Sequence, residues 1–251
     1  MSCEVHILAF EEEEILPFTL RHYATFAKKI VVHDAQSKDR TKAVSLYAGA
    51  IVEPWGLGGV VNDEEYCALK NSCWKETDAD WVIVCDADEL IYFPKGAEAS
   101  LASYSSGGGA VIKPEGFEMF SEAYPTTTGQ IYEEVFMGAP DNKWYSKPIL
   151  FSPKMVEDSG LGMGSHDSWP VLKNGDFLHC NANWKHPDPP AYLLHYHQIG
   201  PIERIGARYD AVKERMSLSN RVHRRGNFKP GVVHAQEKRD FIMPRLRRVV
   251  G

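Results

Sequence analysis

The chain has 251 residues, of which 43% are hydrophobic and 25% charged, with a net formal charge of -6. Those values suit one folded domain, alone or with an appendage, that buries a real core. The longest apolar runs, such as Trp81 to Cys85, fall far short of the roughly 20 residues a membrane span needs, so no transmembrane segment is expected.

The N-terminus, Met1-Ser2-Cys3-Glu4, lacks the basic-then-apolar pattern of a secretory signal. It predicts a cytoplasmic protein, of a bacterium or of a virus-infected host cell. The cysteines (Cys3, Cys67, Cys73, Cys85 and Cys180) are odd in number and have no C-x-x-C spacing. They are expected to be reduced, mostly buried thiols, not a disulfide framework or a zinc site. The charge is unevenly spread. Residues 1–200 carry 15 basic and 29 acidic side chains, whereas 201–251 carry 13 basic and 5 acidic.

Taken in chain order, the first ninety residues alternate strand and helix signals. Val5 to Phe10 reads as a buried strand. Glu11 to Glu14 suit the start of a helix, where the dipole favours negative charge, and Ile15, Phe18, Leu20, Tyr23 and Phe26 continue it. Lys29 to His33 is a second strand, running into the polar turn Asp34 to Asp39. A helix capped by Asp39 or Thr41 follows through about Ala48. Ala50 to Glu53 is a third strand, Glu64 to Glu76 a helix and Trp81 to Cys85 a fourth strand. This alternation predicts an α/β fold with a mostly parallel sheet flanked by helices. Ligands of such sheets bind beyond the carboxyl ends of the strands, where three polar clusters fall: Glu11–Glu14, Asp34–Asp39 and Asp86–Glu89.

After Pro94 the pattern becomes mixed. Ser105 to Gly109 is a turn-rich loop. Ala110 to Lys113, Lys147 to Phe151 and Leu193 to His197 read as short strands, and 115–139 is aromatic and mixed. Ile202 to Met216 has helical periodicity, Arg221 to Lys229 is a basic loop, and the tail from Phe241 to Val250 reads as a short helix. The division expected is a body of residues 1–200, with halves of about 1–95 and 96–200, followed by a basic helical extension, 201–251. No internal repeat or low-complexity segment is present.

The strongest motif is Trp81-Val-Ile-Val-Cys-Asp86-Ala-Asp88-Glu89-Leu90. A buried strand delivers two carboxylates to its exposed end. Because alternate strand residues share a face, Asp86 and Asp88 are expected to point into one site. Mg²⁺ and Mn²⁺ take oxygen ligands of this kind together with substrate phosphates. The competing reading is an acidic turn that caps a helix.

Three stretches, His6 to Phe18, Ile30 to Thr41 and Asp80 to Leu90, together resemble the family 2 type of GT-A glycosyltransferases, in the branch whose motif is D-x-D-E. The resemblance covers about residues 4–93, and its motifs fall in the expected order. It departs from the usual pattern in the first loop, which has Glu where Asn commonly precedes Glu. It implies a GT-A, Rossmann-like nucleotide-sugar half with a mixed acceptor-side part. The expected activity is a metal-dependent hexosyl or pentosyl transfer from a nucleotide sugar, by default a UDP-sugar. Phe10, Glu11 and Glu13 would lie near the base, and Asp34 and Ser37 would contact the nucleoside. Asp86, with Ala87, would meet the sugar diphosphate, and Asp86 and Asp88 would hold Mn²⁺ or Mg²⁺, with Glu89 beside the sugar. Lys70, on the preceding helix, would face the sugar nucleotide.

The later half resembles the family in patches, at Ser146 to Phe151, Gly164-Ser165-His166 and Leu194-His195-Tyr196. A downstream His completing the metal shell would then be His195 or His166, with His197 third. An inverting enzyme needs a carboxylate base near the acceptor hydroxyl. Asp167, Asp158, its neighbour Glu157, and Glu89 are the candidates; a retaining enzyme needs none.

Acceptor contacts are expected from Trp144, Lys147, Arg224 and Arg225, with Trp169 and Trp184 as further stacking surfaces. Arg224-Arg225 lies beside Asn227 and Phe228, so charge and aromatic surface occur together. The basic extension therefore suits an anionic acceptor. This is either a glycan such as lipopolysaccharide or DNA carrying a hydroxymethylated base, as in viral-type DNA modification. Two other readings compete: a nucleotidyltransferase, whose triphosphate the four glutamates would repel, and a non-catalytic nucleic-acid-binding module.

Overall fold

The computed structural model describes residues 1–56, 58–141, 144–180, 185–226 and 228–251. Trp184 and Asn227 lie outside the described residues. The first half runs β1 (Cys3–Ala9), α1 (Leu16–Tyr23), β2 (Lys29–Asp34), α2 (Thr41–Tyr47), β3 (Ile51–Pro54), α3 (Asp63–Ser72), β4 (Trp81–Asp86) and β5 (Glu89–Tyr92). Next come α4 (Ala97–Ser106), β6 (Val111–Ile112), β7 (Glu115–Ser121), β8 (Met137–Pro140), β9 (Leu150–Phe151), β10 (Val156–Asp158), β11 (Val171–Leu172) and β12 (Tyr192–Ile199). The chain closes with α5 (Ile202–Glu214), α6 (Leu218–Val222), α7 (Gly231–Ile242) and β13 (Arg247–Arg248).

The fold is mixed α/β. The first sheet has the order β3-β2-β1-β4-β9-β6, and its first four strands are parallel. Every residue of β1 is buried, as are Trp81 to Cys85 of β4. Central parallel strands covered on both faces require such continuous apolar runs. β9 lies antiparallel to β4 and to β6. The second sheet has the order β13-β8-β7-β12-β5. β4 and β5 are joined by the turn Ala87-Asp88, so the chain passes from one sheet to the other at the D-x-D motif. Among the described residues no helix is long and apolar enough to cross a membrane, and all five cysteines are free.

Four expected elements differ. The first helix starts at Leu16, with Pro17 in its first turn, and Glu11 to Glu14 form the loop before it. Their amides are drawn away from a helix by side chains of the next loop. Glu11 N–H donates to Ser37 Oγ (2.8 Å), Glu12 N–H to Thr41 Oγ1 (2.8 Å) and Glu13 N–H to Asp39 (3.1 Å). Residues 115–139 contain two strands, β7 and β8, of the second sheet. Within 221–229, Arg221 and Val222 end the short helix α6 instead of opening a basic loop. The tail is not a helix: α7 ends at Ile242, a 3-10 turn containing Pro244 follows, and β13 pairs with β8. Pro cannot continue a helical ladder.

Residues 201–251 are tied to the body, for Arg204 and Arg208 pair with Glu14 and Glu12, and β13 pairs with β8. α5 and α7 cross where Gly206 meets Gly231, and a Cβ on Gly231 would sit 1.9 Å from the Gly206 carbonyl oxygen. That contact admits only glycine.

His22, on α1, is buried, with Nε2 2.9 Å from the Ile91 carbonyl oxygen. Burial pushes its pKa down to about 4, against the hydrogen bond to Ile91. The unfolded chain therefore takes up this proton first. Its stabilising contribution is complete above about pH 6.5 and is lost as pH falls toward 4, on the order of 3 kcal/mol in all. His22→Gln should flatten the fall in unfolding free energy between pH 6.5 and 4, as measured by urea melts.

Candidate functional site

The parallel register brings the three polar clusters together. Ala9 pairs with Asp34 across β1 and β2, and Leu8 pairs with Asp86 across β1 and β4. The loops that leave these strands share one rim, laced by the hydrogen bonds already described. Asp34 is buried and accepts the Ser37 amide at 3.0 Å. Glu13 is held by Arg40 at 3.1 Å. Glu11 is exposed, in the left-handed region at φ 54°. Phe10 packs under the Arg215 guanidinium, 4.3 Å from the ring centroid.

Beside this rim lies a cleft of about 250 Å³, lined by Phe10, Glu12, Tyr66, Lys70, Ala87, Arg215 and the two motif aspartates, among others. A larger hollow of about 740 Å³ opens elsewhere, between Phe26, Tyr92, Phe93 and Tyr132. It lacks the paired aspartates of the motif.

Asp86 and Asp88 do not share a set of partners, because Asp88 lies in the turn and not on the strand. Asp86 receives Lys70 Nζ at 2.8 Å and has Lys147 Nζ at 3.9 Å. Burial works against its ionisation, yet the two ammonium groups hold its pKa below the usual carboxylate value. Lys70 is itself buried, and its ammonium also donates to Ser165 Oγ at 3.3 Å. Lys147, expected to face an acceptor, is buried and ion-paired to Glu89. Glu89 is fully buried, and its other oxygen accepts the Asp86 amide at 3.1 Å.

Asp88 faces the second sheet. His197 Nδ1 lies 3.2 Å from one carboxylate oxygen and His195 Nε2 3.8 Å from the other. Arg208 of α5 reaches Asp88 at 3.5 Å and Glu12 at 3.1 Å. Against burial, His195, His197 and Arg208 hold the Asp88 pKa well below the carboxylate range. One ligand atom each from Asp88, His195 and His197 lies within 4.8 Å of the other two.

β12 is what places the histidines. His195 pairs with Glu89 on one side and Glu118 on the other, and the register then shifts before Gln198. Residues two apart on a strand share a face, so His195 and His197 stack, with centroids 5.7 Å apart. Glu118 is buried and lies 2.9 Å from His195 Nδ1. A carboxylate only accepts, so Nδ1 carries a proton, and Nε2, whose proton a bound cation would displace, turns toward Asp88. Burial opposes a charge on His195, but Glu118 and Asp88 raise its pKa to about 9.

The remaining candidates lie apart from this group. His166 Nδ1 is engaged by the Trp144 carbonyl oxygen at 2.6 Å. Burial and the nearby Lys147 push its pKa down to about 4. Trp144 is partly exposed, edge-on to that ring. Asp158 is paired with Lys75 at 3.5 Å, and the Glu157 carbonyl accepts from the same ammonium. Asp167 is exposed beside the 3-10 turn Met163–Ser165. Arg225 pairs with Glu64 at 3.2 Å, and Arg224 is exposed.

Four members of the site had no role of their own in the sequence reading: Glu12, named only as part of the Glu11–Glu14 cluster, Glu118, Arg208 and Arg215. Glu118 had a usable signal, a carboxylate between Phe117 and Met119 in an apolar strand, where burial demands a partner. Arg204, Arg208 and Arg215 recur on one helical face. That face carries Arg204 to Glu14 and Arg208 to Glu12. Much of the basic extension therefore answers acidic groups of its own chain. Burial raises the Glu12 pKa to about 7 in spite of Arg208.

No family model matches the chain. A TPR repeat-containing protein of Synechococcus elongatus is 23% identical over 214 residues, covering 83% of this chain and 45% of that protein. The chain thus spans under half the length of this curated relative. Among solved structures, TarS of S. aureus is similar with a TM-score of 0.45 at 12% identity, covering 83% of this chain and 40% of TarS. Residues 1–349 of TarS in complex with UDP are similar at 0.42 and 13% identity, over 77% of this chain and 60% of that one. Glucosyl-3-phosphoglycerate synthase from Mycobacterium tuberculosis, in complex with Mn²⁺, UDP and glucosyl-3-phosphoglycerate, is similar at 0.33 and 18% identity, over 47% of this chain and 44% of that one.

Proposed function

We propose that this chain is a metal-dependent glycosyltransferase of the GT-A type that moves a sugar from a nucleotide sugar to a hydroxyl acceptor. The observation that carries the reading is the position of the D-x-D. It stands where β4 hands over to β5, at the carboxyl ends of the parallel strands, with Asp88 facing two histidines and Asp86 facing two lysines. UDP is the donor nucleotide that the sequence resemblance implies.

The donor set fits a divalent cation. Asp88, His195 and His197 would hold it, and two imidazoles beside a carboxylate suit Mn²⁺ better than Mg²⁺. Such an ion neutralises charge on a diphosphate leaving group. The chain's own residues prepare the place. Glu118 fixes the His195 tautomer and leaves Nε2 toward Asp88. Lys70 and Lys147 keep Asp86 ionised at the cleft, and Arg215 supplies a planar cation beside it, of the kind that binds phosphate oxygens. Asp34 and Ser37 border the nucleoside end, with Phe10, Glu11 and Glu13. If the transfer inverts configuration, Asp158 and Glu89 are poor bases, being ion-paired to Lys75 and Lys147, and Asp167 is the sequence candidate left for that role.

The acceptor assigned is a glycan hydroxyl rather than a base in DNA. Arg204, Arg208, Arg225 and Arg247 are spent on Glu14, Glu12, Glu64 and Glu115, which leaves less positive surface for a phosphate backbone. The experiment is a turnover screen of UDP-, GDP- and CDP-sugars with Mn²⁺, against glycan and hydroxymethylated-DNA acceptors. Release of UDP with a glycan is the expected result. DNA binding without turnover of any sugar nucleotide would favour a non-catalytic module.

A further inference from the structure

Behind the cleft, on the face of the first sheet covered by α3, β1 and β2 bury a row of polar groups. Glu4 pairs with Lys29 and Leu8 with His33, so Glu4, His6 and His33 share one face. His6 and His33 are each 2% exposed, and their rings stack at 5.3 Å and 12°. Nδ1 of His6 faces Nε2 of His33 at 2.9 Å. Each outer nitrogen meets a carboxylate: His6 Nε2 lies 3.0 Å from Glu4, and His33 Nδ1 lies 3.5 Å from Glu53. Cys73, at the C-cap of α3, completes the group. One ligand atom each from His6, His33 and Cys73 lies within 4.8 Å of the other two.

A proton count shows what is missing. The row has three contacts, carboxylate to imidazole, imidazole to imidazole and imidazole to carboxylate. A proton in each would take three, and two neutral imidazoles supply two; the third needs either an imidazolium or, at the 3.5 Å contact to the exposed Glu53, no proton at all. Accordingly, His6 Nε2 is a buried nitrogen without a properly directed hydrogen bond, despite its 3.0 Å distance to Glu4. A cation between the inner nitrogens satisfies the row without an imidazolium. Each imidazole then keeps its proton on the outer nitrogen and donates it to a carboxylate, as metal-bound histidines generally do.

We propose that His6, His33 and Cys73 form a second metal site, for a borderline divalent cation such as Zn²⁺. Two nitrogens and a sulfur select Zn²⁺ over Mg²⁺ or Mn²⁺, the reverse of an oxygen-rich site. Glu53 is 57% exposed and Cys73 half-buried, so one edge opens to solvent for entry. Binding releases the thiol proton. The site ties the end of α3 to β1 and β2, less than one helical turn from Lys70.

The test uses the full chain with Co²⁺ as the probe. Two equivalents, enough to fill the Asp88 group as well, should give a thiolate-to-cobalt charge-transfer band that Zn²⁺ bleaches. Cys73→Ser should remove the band, and His33→Gln should weaken binding at least tenfold, while Asp88→Ala leaves both unchanged. A second measurement needs no variant: Zn²⁺ should protect Cys73 from iodoacetamide, mapped by mass spectrometry. Absence of the band, its persistence in folded Cys73→Ser, or alkylation of Cys73 at the same rate with and without Zn²⁺ would overturn the site. None of these readouts depends on glycosyl transfer.

Discussion

Lys70→Ala is expected to cost about 3 kcal/mol of stability, the lower end of what removing one partner of a buried ion pair costs. The ammonium is buried and lies 2.8 Å from Asp86. Its loss leaves a carboxylate with Lys147 at 3.9 Å as the nearer remaining cation. The lower end applies because the Asp86 side chain is 34% exposed, so water screens part of the bare charge. For a chain of this length the loss corresponds to a fall in Tm of roughly 6–12 °C. Adding Asp86→Asn to Lys70→Ala should recover part of it, since the uncompensated charge is then gone. A double-mutant cycle followed by thermal melts measures that coupling. Additive losses would mean that the pair is merely adjacent.

The second large effect is expected at His195. His195→Ala removes one of three grouped ligand atoms, and Mn²⁺ affinity should fall at least a hundredfold, while Glu118→Gln, acting through the ring, should cost roughly 10–100-fold. The graded pair separates a ligand from its support. Calorimetric titration with Mn²⁺ reads both, and equal losses in the two variants would point to general damage to β12. His166→Ala should leave Mn²⁺ affinity within about twofold, because that ring is engaged by the Trp144 carbonyl and is not part of the Asp88 group.

The first sheet was readable because its evidence is local. β1 and β4 are continuous apolar runs, and the acidic residues that follow them fall at strand ends by chain order alone. The parallel order then brings those ends together. The second sheet was not readable in the same way. β13 is two residues long, and β7 meets β12 across more than seventy positions. Nothing local marks such pairings. His195 was visible through its motif, but its partnership with Glu118 exists only through that distant register. The glutamates of the first loop misled for a related reason. Their charge suited a helix start, whereas Ser37, Thr41 and Asp39 capture the loop's amides. Asp88 was placed on a strand face by alternation, and the turn to β5 moved it toward the histidines.

The most direct test of the central claim is a calorimetric titration of the chain with UDP, with and without Mn²⁺, alongside Asp88→Ala. UDP binding should require Mn²⁺ and disappear in the variant, with the fold retained by circular dichroism. UDP binding that is independent of metal and unchanged in Asp88→Ala would contradict it.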